Sequence, residues 1–204
     1  MVESVIPFES AARGFAGLVH RIPGDRWDLP ALGEWDLRSL VGHTSRSLIT
    51  VSSYLQTSAE REDVATPAQY YARIREVAAD IGADAIVERG RQAGRDLGAD
   101  PAAAVDGLLE RVLDELSRAG DPLIEVIGGL GIRLHTYLPT RTFELAVHSL
   151  DIARATGLSF ALAEDVLDEA TALAAQIGVA TGEGETVLLA LTGRAALPPS
   201  FSVV

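Results

Sequence analysis

The sequence predicts an all-α protein. Apolar residues recur at three- and four-residue intervals over most of the chain, the period of helices with one buried face. Several of these stretches open on a capping residue or a proline and close on glycine. Only residues 121–132 read as β-prone.

From Pro7 to Ile22 the inward set is Phe8, Ala11, Phe15, Leu18, Val19 and Ile22, with Pro7 suited to the first turn. Pro23-Gly24-Asp25 ends this helix. A loop carrying Trp27, Leu29, Pro30 and Trp35 follows, its two tryptophans read as a plug on one end of the core rather than a substrate contact. Asp36 caps a second helix through roughly Thr57, with Leu37, Leu40, Val41, Leu48, Val51 and Leu55 facing inward. His43 falls one turn after Leu40, at the border of that apolar stripe.

Thr66-Pro67 starts a long Ala-rich helical pattern to about Leu97, weakened near Gly82, with Tyr70, Tyr71, Ile74, Val77, Ile81 and Ile86 on its buried side. Asp100-Pro101 opens a helix ending at Gly120 that buries Val105, Leu108, Leu109, Val112, Leu113 and Leu116. Three glycines make 121–132 a loop or short hairpin, placed at a pocket mouth. The next helix runs from about Arg133 to Thr156, with Pro139 forcing a kink or a restart before Arg141 and Gly157 as its stop. Further helices are expected over Ala163–Ile177 and Glu185–Leu191, then an extended tail from Leu197. No linker or repeat divides the chain, so residues 1–204 are read as one domain.

Composition narrows the function. A net charge of −12 repels nucleic acid and anionic membranes, and Arg89, Arg91 and Arg95, with Glu88 and Asp96 beside them, read as a solvated helical face. The chain has no cysteine, which excludes disulfides, Cys-ligated zinc, iron–sulfur clusters and a cysteine nucleophile. No apolar run reaches the ~18 residues that span a bilayer, and nothing at Met1–Pro7 resembles a leader, so the expected location is the cytoplasm.

Glu144 and His148 stand four residues apart on the expected central helix, one above the other and ~6 Å apart along its axis, so both can reach one ion. With 29 acids and four histidines in the chain, about 0.6 such pairs arise by chance, so the pair needs a third ligand from elsewhere. Asp151, three residues beyond His148, is placed to orient that imidazole or to lie on the surface. Arg141, one turn before Glu144, is placed to hold a substrate carboxylate, to neutralise the site, or to form a structural ion pair. His20 and His135 are given no role. Gly182-x-Gly184 and Gly128-Gly129-x-Gly131 lack the rest of a phosphate loop, and no Gly-x-Ser-x-Gly occurs.

Two separated segments carry a family resemblance. Trp27 and Gly33-Glu-Trp35-Asp36-Leu-Arg-Ser-Leu-Val-Gly-His43 form a tryptophan-bearing loop leading into a helix with a histidine, and Arg141-Thr-Phe-Glu144-Leu-Ala-Val-His148-Ser-Leu-Asp151 holds the Glu-x-x-x-His pair. Together they resemble the mycothiol-dependent maleylpyruvate isomerase N-terminal family of the DinB-like superfamily. The resemblance implies an up-down four-helix bundle, here with extra C-terminal helices and an extended tail. It also implies a divalent metal held by His43, Glu144 and His148, and thiol chemistry with mycothiol. Pro139 ahead of the ligand helix and Ser149, where relatives more often have glycine, depart from the pattern without touching a ligand.

Two imidazoles and a carboxylate suit zinc with one position open; nickel, iron and manganese are compatible. Near such an ion a thiol is held as thiolate, which explains how a chain without cysteine runs thiol chemistry. The expected function is thiol transfer or isomerisation on a small electrophile, the thiol adding to a double bond that rotates and expels it, or displacing a leaving group. The expected partners are therefore a small-molecule thiol and that electrophile. The alternatives are a metal-dependent hydrolase and a non-catalytic metal- or ligand-binding bundle. A homodimer is compatible with such a bundle, although no stripe marks an interface.

Overall fold

The computed structural model describes residues 4–204, with the side chains of residues 76, 78–81 and 83 excepted; the expected inward-facing Ile81 lies outside the described side chains. It is predominantly helical, as expected. The helices are α1 (Val5–Val19), α2 (Leu37–Tyr54), α3 (Pro67–Ile81), α4 (Ala83–Asp96), α5 (Pro101–Ala119), α6 (Leu134–Thr156), α7 (Glu164–Ala180) and α8 (Gly184–Leu191). Two short antiparallel hairpins join them, β1 (Pro30–Leu32) with β2 (Trp35–Asp36), and β3 (Leu123–Val126) with β4 (Leu130–Arg133).

Helices α1, α5, α2 and α6 form the four-helix bundle, each packing on its neighbours in that ring. Their apolar faces meet in one core in which Phe8, Phe15, Leu40, Leu48, Leu138 and Leu145 are fully buried. Burial of a side chain of this size contributes about 1.5–3 kcal/mol, which is why these helices hold together although none need be stable alone. Helix α7 closes the α1–α6 side and carries α8, while α3 and α4 cover the α6 and α2 side. No described helix is long and apolar enough to cross a membrane.

Local chemistry accounts for the helix ends. Asp36 caps α2 by accepting the Ser39 amide at 2.7 Å, and Asp100 caps α5 through the Ala103 amide at 3.1 Å. Thr66 accepts the Gln69 amide while the Gln69 side chain accepts the Ala65 amide, a reciprocal cap for α3. The weakening expected at Gly82 is a full break: its φ of 84° suits glycine and separates α3 from α4.

Of the kink or restart expected at Pro139, no restart occurs: α6 is continuous from Leu134 to Thr156. Pro139 removes only the hydrogen bond to the carbonyl of His135, an exposed residue in the first turn where water can replace it. Gly157, with φ of 70°, ends the helix in the left-handed conformation.

Helices α2 and α4 approach at their backbones. A methyl added at Gly42 would overlap the Gly94 main chain, and one at Gly94 would lie 2.8 Å from the Arg38 carbonyl oxygen. One turn before Gly94, Gly90 leaves the space occupied by the Trp35 ring, 2.6 Å from where a Cβ would sit. The β3–β4 hairpin is pinned by Val64 bridging to Ile132, and by Asp63, whose carboxylate accepts the Gly131 amide at 3.0 Å.

Candidate metal centre

The polar residues of α6 form one stripe. Tyr137, Arg141, Glu144, His148 and Asp151 are separated by four, three, four and three residues, so they lie on one face of the helix. His43 on α2 faces that stripe, and donor atoms of His43, Glu144 and His148 all lie within 4.8 Å of one another. The sequence-distant histidine is thus brought to the local pair, as the family resemblance implied. The His43 and His148 rings meet edge-on, with centroids 5.0 Å apart.

Each member has its own support. His148 Nδ1 lies 3.2 Å from Asp151 Oδ2 and its Nε2 lies 3.3 Å from Glu144 Oε2. Asp151 is therefore placed to orient that ring, and its side chain is only 17% exposed rather than lying on the open surface. The Tyr71 hydroxyl lies 2.8 Å from Glu144 Oε1 and 3.1 Å from the Thr140 carbonyl, its one proton shared between two acceptors. Trp35 covers His43, with ring centroids 4.4 Å apart and planes tilted by 33°. Its indole N–H donates to the Val87 carbonyl at 2.9 Å. Trp35 packs against the core, as expected, and in addition braces a candidate ligand. Trp27, half-buried against the core with the Arg38 guanidinium over its ring, fits the expected plug.

Among the described residues Arg141 makes no salt-bridge contact of the kind considered from sequence, although its charge acts on Glu144. Its guanidinium sits over the Tyr137 and Tyr70 rings, 5.0 and 5.5 Å from their centroids, and its Nε donates to Thr140 Oγ1 at 3.0 Å. His20 and His135 lie outside the cluster, paired with Asp106 and Asp121 at 2.8 Å each. On α4, Arg95 pairs with Glu88 and Arg91 with Glu34, as a solvated face requires, but Arg89 lines a cavity. That cavity, about 190 Å³, also reaches His43, Glu144 and Arg141, with Ile127 of the β3–β4 turn on its wall.

The electrostatics favour different protonation states at the two histidines. Burial, reinforced by His148 and then by Arg46 and Arg141, pushes His43 from 6.5 down to about 4 against the opposing pull of Glu144. Burial also opposes the charged forms of Glu144 and His148, but the contacts win. The His148 hydrogen bond, Arg141 and Tyr71 hold Glu144 at about 2, and Asp151 and Glu144 raise His148 to about 9. His43 Nδ1 is buried with no hydrogen-bond partner among the described residues. A neutral imidazole with an unpartnered buried nitrogen beside an ionised carboxylate is a donor set that can accept a metal.

Sequence reasoning missed Trp35 as a brace, Tyr71 as a partner of Glu144, and Arg46, which lines the cavity from α2 one turn after His43. Tyr71 carried one local signal, its place on the buried side of α3. No local signal distinguishes the other two.

Comparison with known proteins gives a single kind of match. The family model described as the mycothiol maleylpyruvate isomerase N-terminal domain matches residues 8–153, a span that contains His43, Glu144, His148 and Asp151. No curated protein and no solved structure matches the chain. With that family model covering most of its length and an all-α bundle beneath it, the chain belongs to the mycothiol maleylpyruvate isomerase N-terminal domain family of the DinB-like superfamily.

Proposed function

We propose that the protein is a metal-dependent enzyme that uses mycothiol to transfer to, or isomerise, a small electrophile, with His43, Glu144 and His148 as the metal ligands. The observation that carries this reading is the convergence of those three residues within 4.8 Å around a buried, unpartnered His43 nitrogen. Two ligands of a tetrahedral zinc at ~2.0–2.1 Å stand ~3.3 Å apart. His148 Nε2 and Glu144 Oε2 have that separation already, at 3.3 Å. Three protein ligands leave one position for an external group, the pattern of a catalytic zinc site, and zinc is the metal this donor set suits best.

When bound, such an ion keeps a neighbouring thiol ionised near neutral pH. The chain supplies no thiol of its own, so the nucleophilic sulfur comes from a small molecule, and family membership supports mycothiol as that molecule. Asp151 fixes the His148 ring so that Nε2 faces the centre, and Tyr71 fixes the Glu144 carboxylate. Arg141 presents a positive charge beside both, in a position to hold an anionic substrate group.

The test is turnover by the zinc-loaded protein on maleylpyruvate and a panel of alkylating electrophiles, with and without mycothiol. Turnover that requires both metal and thiol is expected. Metal-dependent turnover unchanged by mycothiol would replace the proposal with hydrolysis. Stoichiometric metal without turnover of any panel member would leave a binding protein.

A further inference from the structure

We propose that α8 is the contact between two copies of this chain, each α8 lying antiparallel to its counterpart across a two-fold axis. The inference is independent of the proposed chemistry, since it requires neither metal nor thiol.

Helix α8 carries the run Val187-Leu-Leu-Ala-Leu191, yet it buries none of its residues. A helix this apolar belongs inside a core, and here it is docked along one side only. Val187 packs on α7 at Gly178, where an added Cβ would lie 2.8 Å from it, and Val203 of the tail packs on the same glycine. The Glu183 amide donates to the Gly178 carbonyl at 2.7 Å, which fixes the start of α8. Leu188 and Leu191, three residues apart and so on one face, are left 61% and 71% exposed. Because the chain from Val187 to Val203 starts and ends on Gly178, Val179, Leu197 and Val204 gather around the same end of α7, each at least half-exposed. These five are the larger part of the eight large apolar side chains exposed among the described residues.

Size and charge both fit a second copy. Five such side chains present roughly 400 Å² of apolar surface, where a standard interface takes ~800 Å² from each partner, somewhat over half of it apolar. The chain carries −12, so two copies repel over most of their surface, but from Thr186 to Val204 there is no acid. Like copies therefore meet here with least repulsion, and a basic partner would find nothing in this stretch to pair with. The ends of α8 are self-complementary. Glu185 stands in its first turn and Arg194 just beyond its last, and positions 185, 188, 191 and 194 are evenly spaced. Two such helices laid antiparallel about an axis between 188 and 191 set Leu188 of one copy on Leu191 of the other, and Glu185 of one beside Arg194 of the other. Among the described residues neither Glu185 nor Arg194 forms an ion pair within its own chain; Arg194 donates to the Thr192 carbonyl.

The experiment is sedimentation velocity on the full chain over a concentration series reaching about 200 µM, where a monomer–dimer equilibrium with a micromolar Kd is expected for an interface of this size. Leu188→Glu combined with Leu191→Glu sets like charges at the centre of the contact and should raise Kd at least about 100-fold. Both side chains are exposed, so circular dichroism should show unchanged helix content. Glu185→Arg should weaken the dimer about three- to tenfold, and adding Arg194→Glu to the same chain should restore the parent Kd. A parent that stays monomeric at the highest concentration, or a dimer that the double leucine variant leaves intact, overturns the proposal. A dimer weakened by Glu185→Arg and not restored by Arg194→Glu overturns the antiparallel pairing of α8.

Discussion

The Trp35 ring lies over the His43 imidazole, 4.4 Å between centroids, while its N–H is held by the Val87 carbonyl on α4. Among the described residues His43 has no hydrogen bond to fix its buried Nδ1, so this contact and the neighbouring His148 help to orient it. Trp35→Leu should therefore weaken zinc binding about tenfold or more, as loss of a partner that orients a ligand does. It should also cost about 2–3 kcal/mol of stability from the lost ring volume and N–H bond. Competition titration with a zinc chelator and thermal unfolding measure the two effects. Unchanged zinc affinity at reduced stability would assign Trp35 to the core alone.

Tyr71→Phe removes the hydroxyl that Glu144 accepts, and Asp151→Asn removes the negative charge on which the His148 Nδ1 proton rests. Each should lower metal affinity about 10–100-fold. Because Glu144 and His148 also touch at 3.3 Å, the double variant should fall short of the sum of the two losses. A double-mutant cycle on zinc affinity gives the comparison directly.

Gly94→Ala sets helix propensity against packing. Alanine favours a helix over glycine by about 1 kcal/mol, but here its methyl would press on the Arg38 main chain. Overpacking of a backbone contact costs about 1–3 kcal/mol, so net destabilisation is expected, together with weaker zinc binding because α2 carries His43. At Gly107 in α5 an added methyl would meet nothing within 4 Å, and Gly107→Ala should stabilise by about 0.5–1 kcal/mol. Chemical denaturation of the pair separates a packing effect from a general effect of alanine.

The metal-free protein should show two opposed pH effects. His148, raised to about 9, contributes stability that is complete below its unfolded value near 6.5 and is lost as pH rises through 9. His43, lowered to about 4, contributes stability present above 6.5 and lost as pH falls through 4. Near pH 7 the cluster thus holds one proton, on His148, and zinc uptake should release it. Calorimetry in buffers of different ionisation enthalpy should report about one proton released at pH 7 and progressively fewer above pH 9, with the release reduced in Asp151→Asn.

The parts of this molecule legible in its sequence are those governed by neighbours along the chain. The caps at Asp36 and Asp100, the stop at Gly157 and the shared face of Glu144 and His148 follow from local geometry, and the structure has them all. His43 is a candidate ligand only through family resemblance, because nothing on α2 distinguishes it from a histidine at the edge of a core. Trp35 on His43 and Gly42 on Gly94 join segments distant in sequence, so no spacing rule reaches them. A proline rule predicts an interruption of α6 at Pro139 because it takes no account of where the freed carbonyl lies, and at exposed His135 it lies near water. The tyrosine-lined cavity exists only where α2, α3, α4 and α6 meet. Tyr70 and Tyr71 read as inward-facing, but their partners Tyr54 and Tyr137 are on other helices.

The most direct test of the three-ligand site is metal content by elemental mass spectrometry, on protein purified without chelator or a nickel affinity step and then offered zinc. The parent, His43→Ala and Glu144→Ala are compared, with circular dichroism confirming that each is folded. About one metal per chain is expected in the parent, and loss of it in both variants. A folded parent that stays empty after zinc is added, or folded variants that keep the metal, would contradict the assignment.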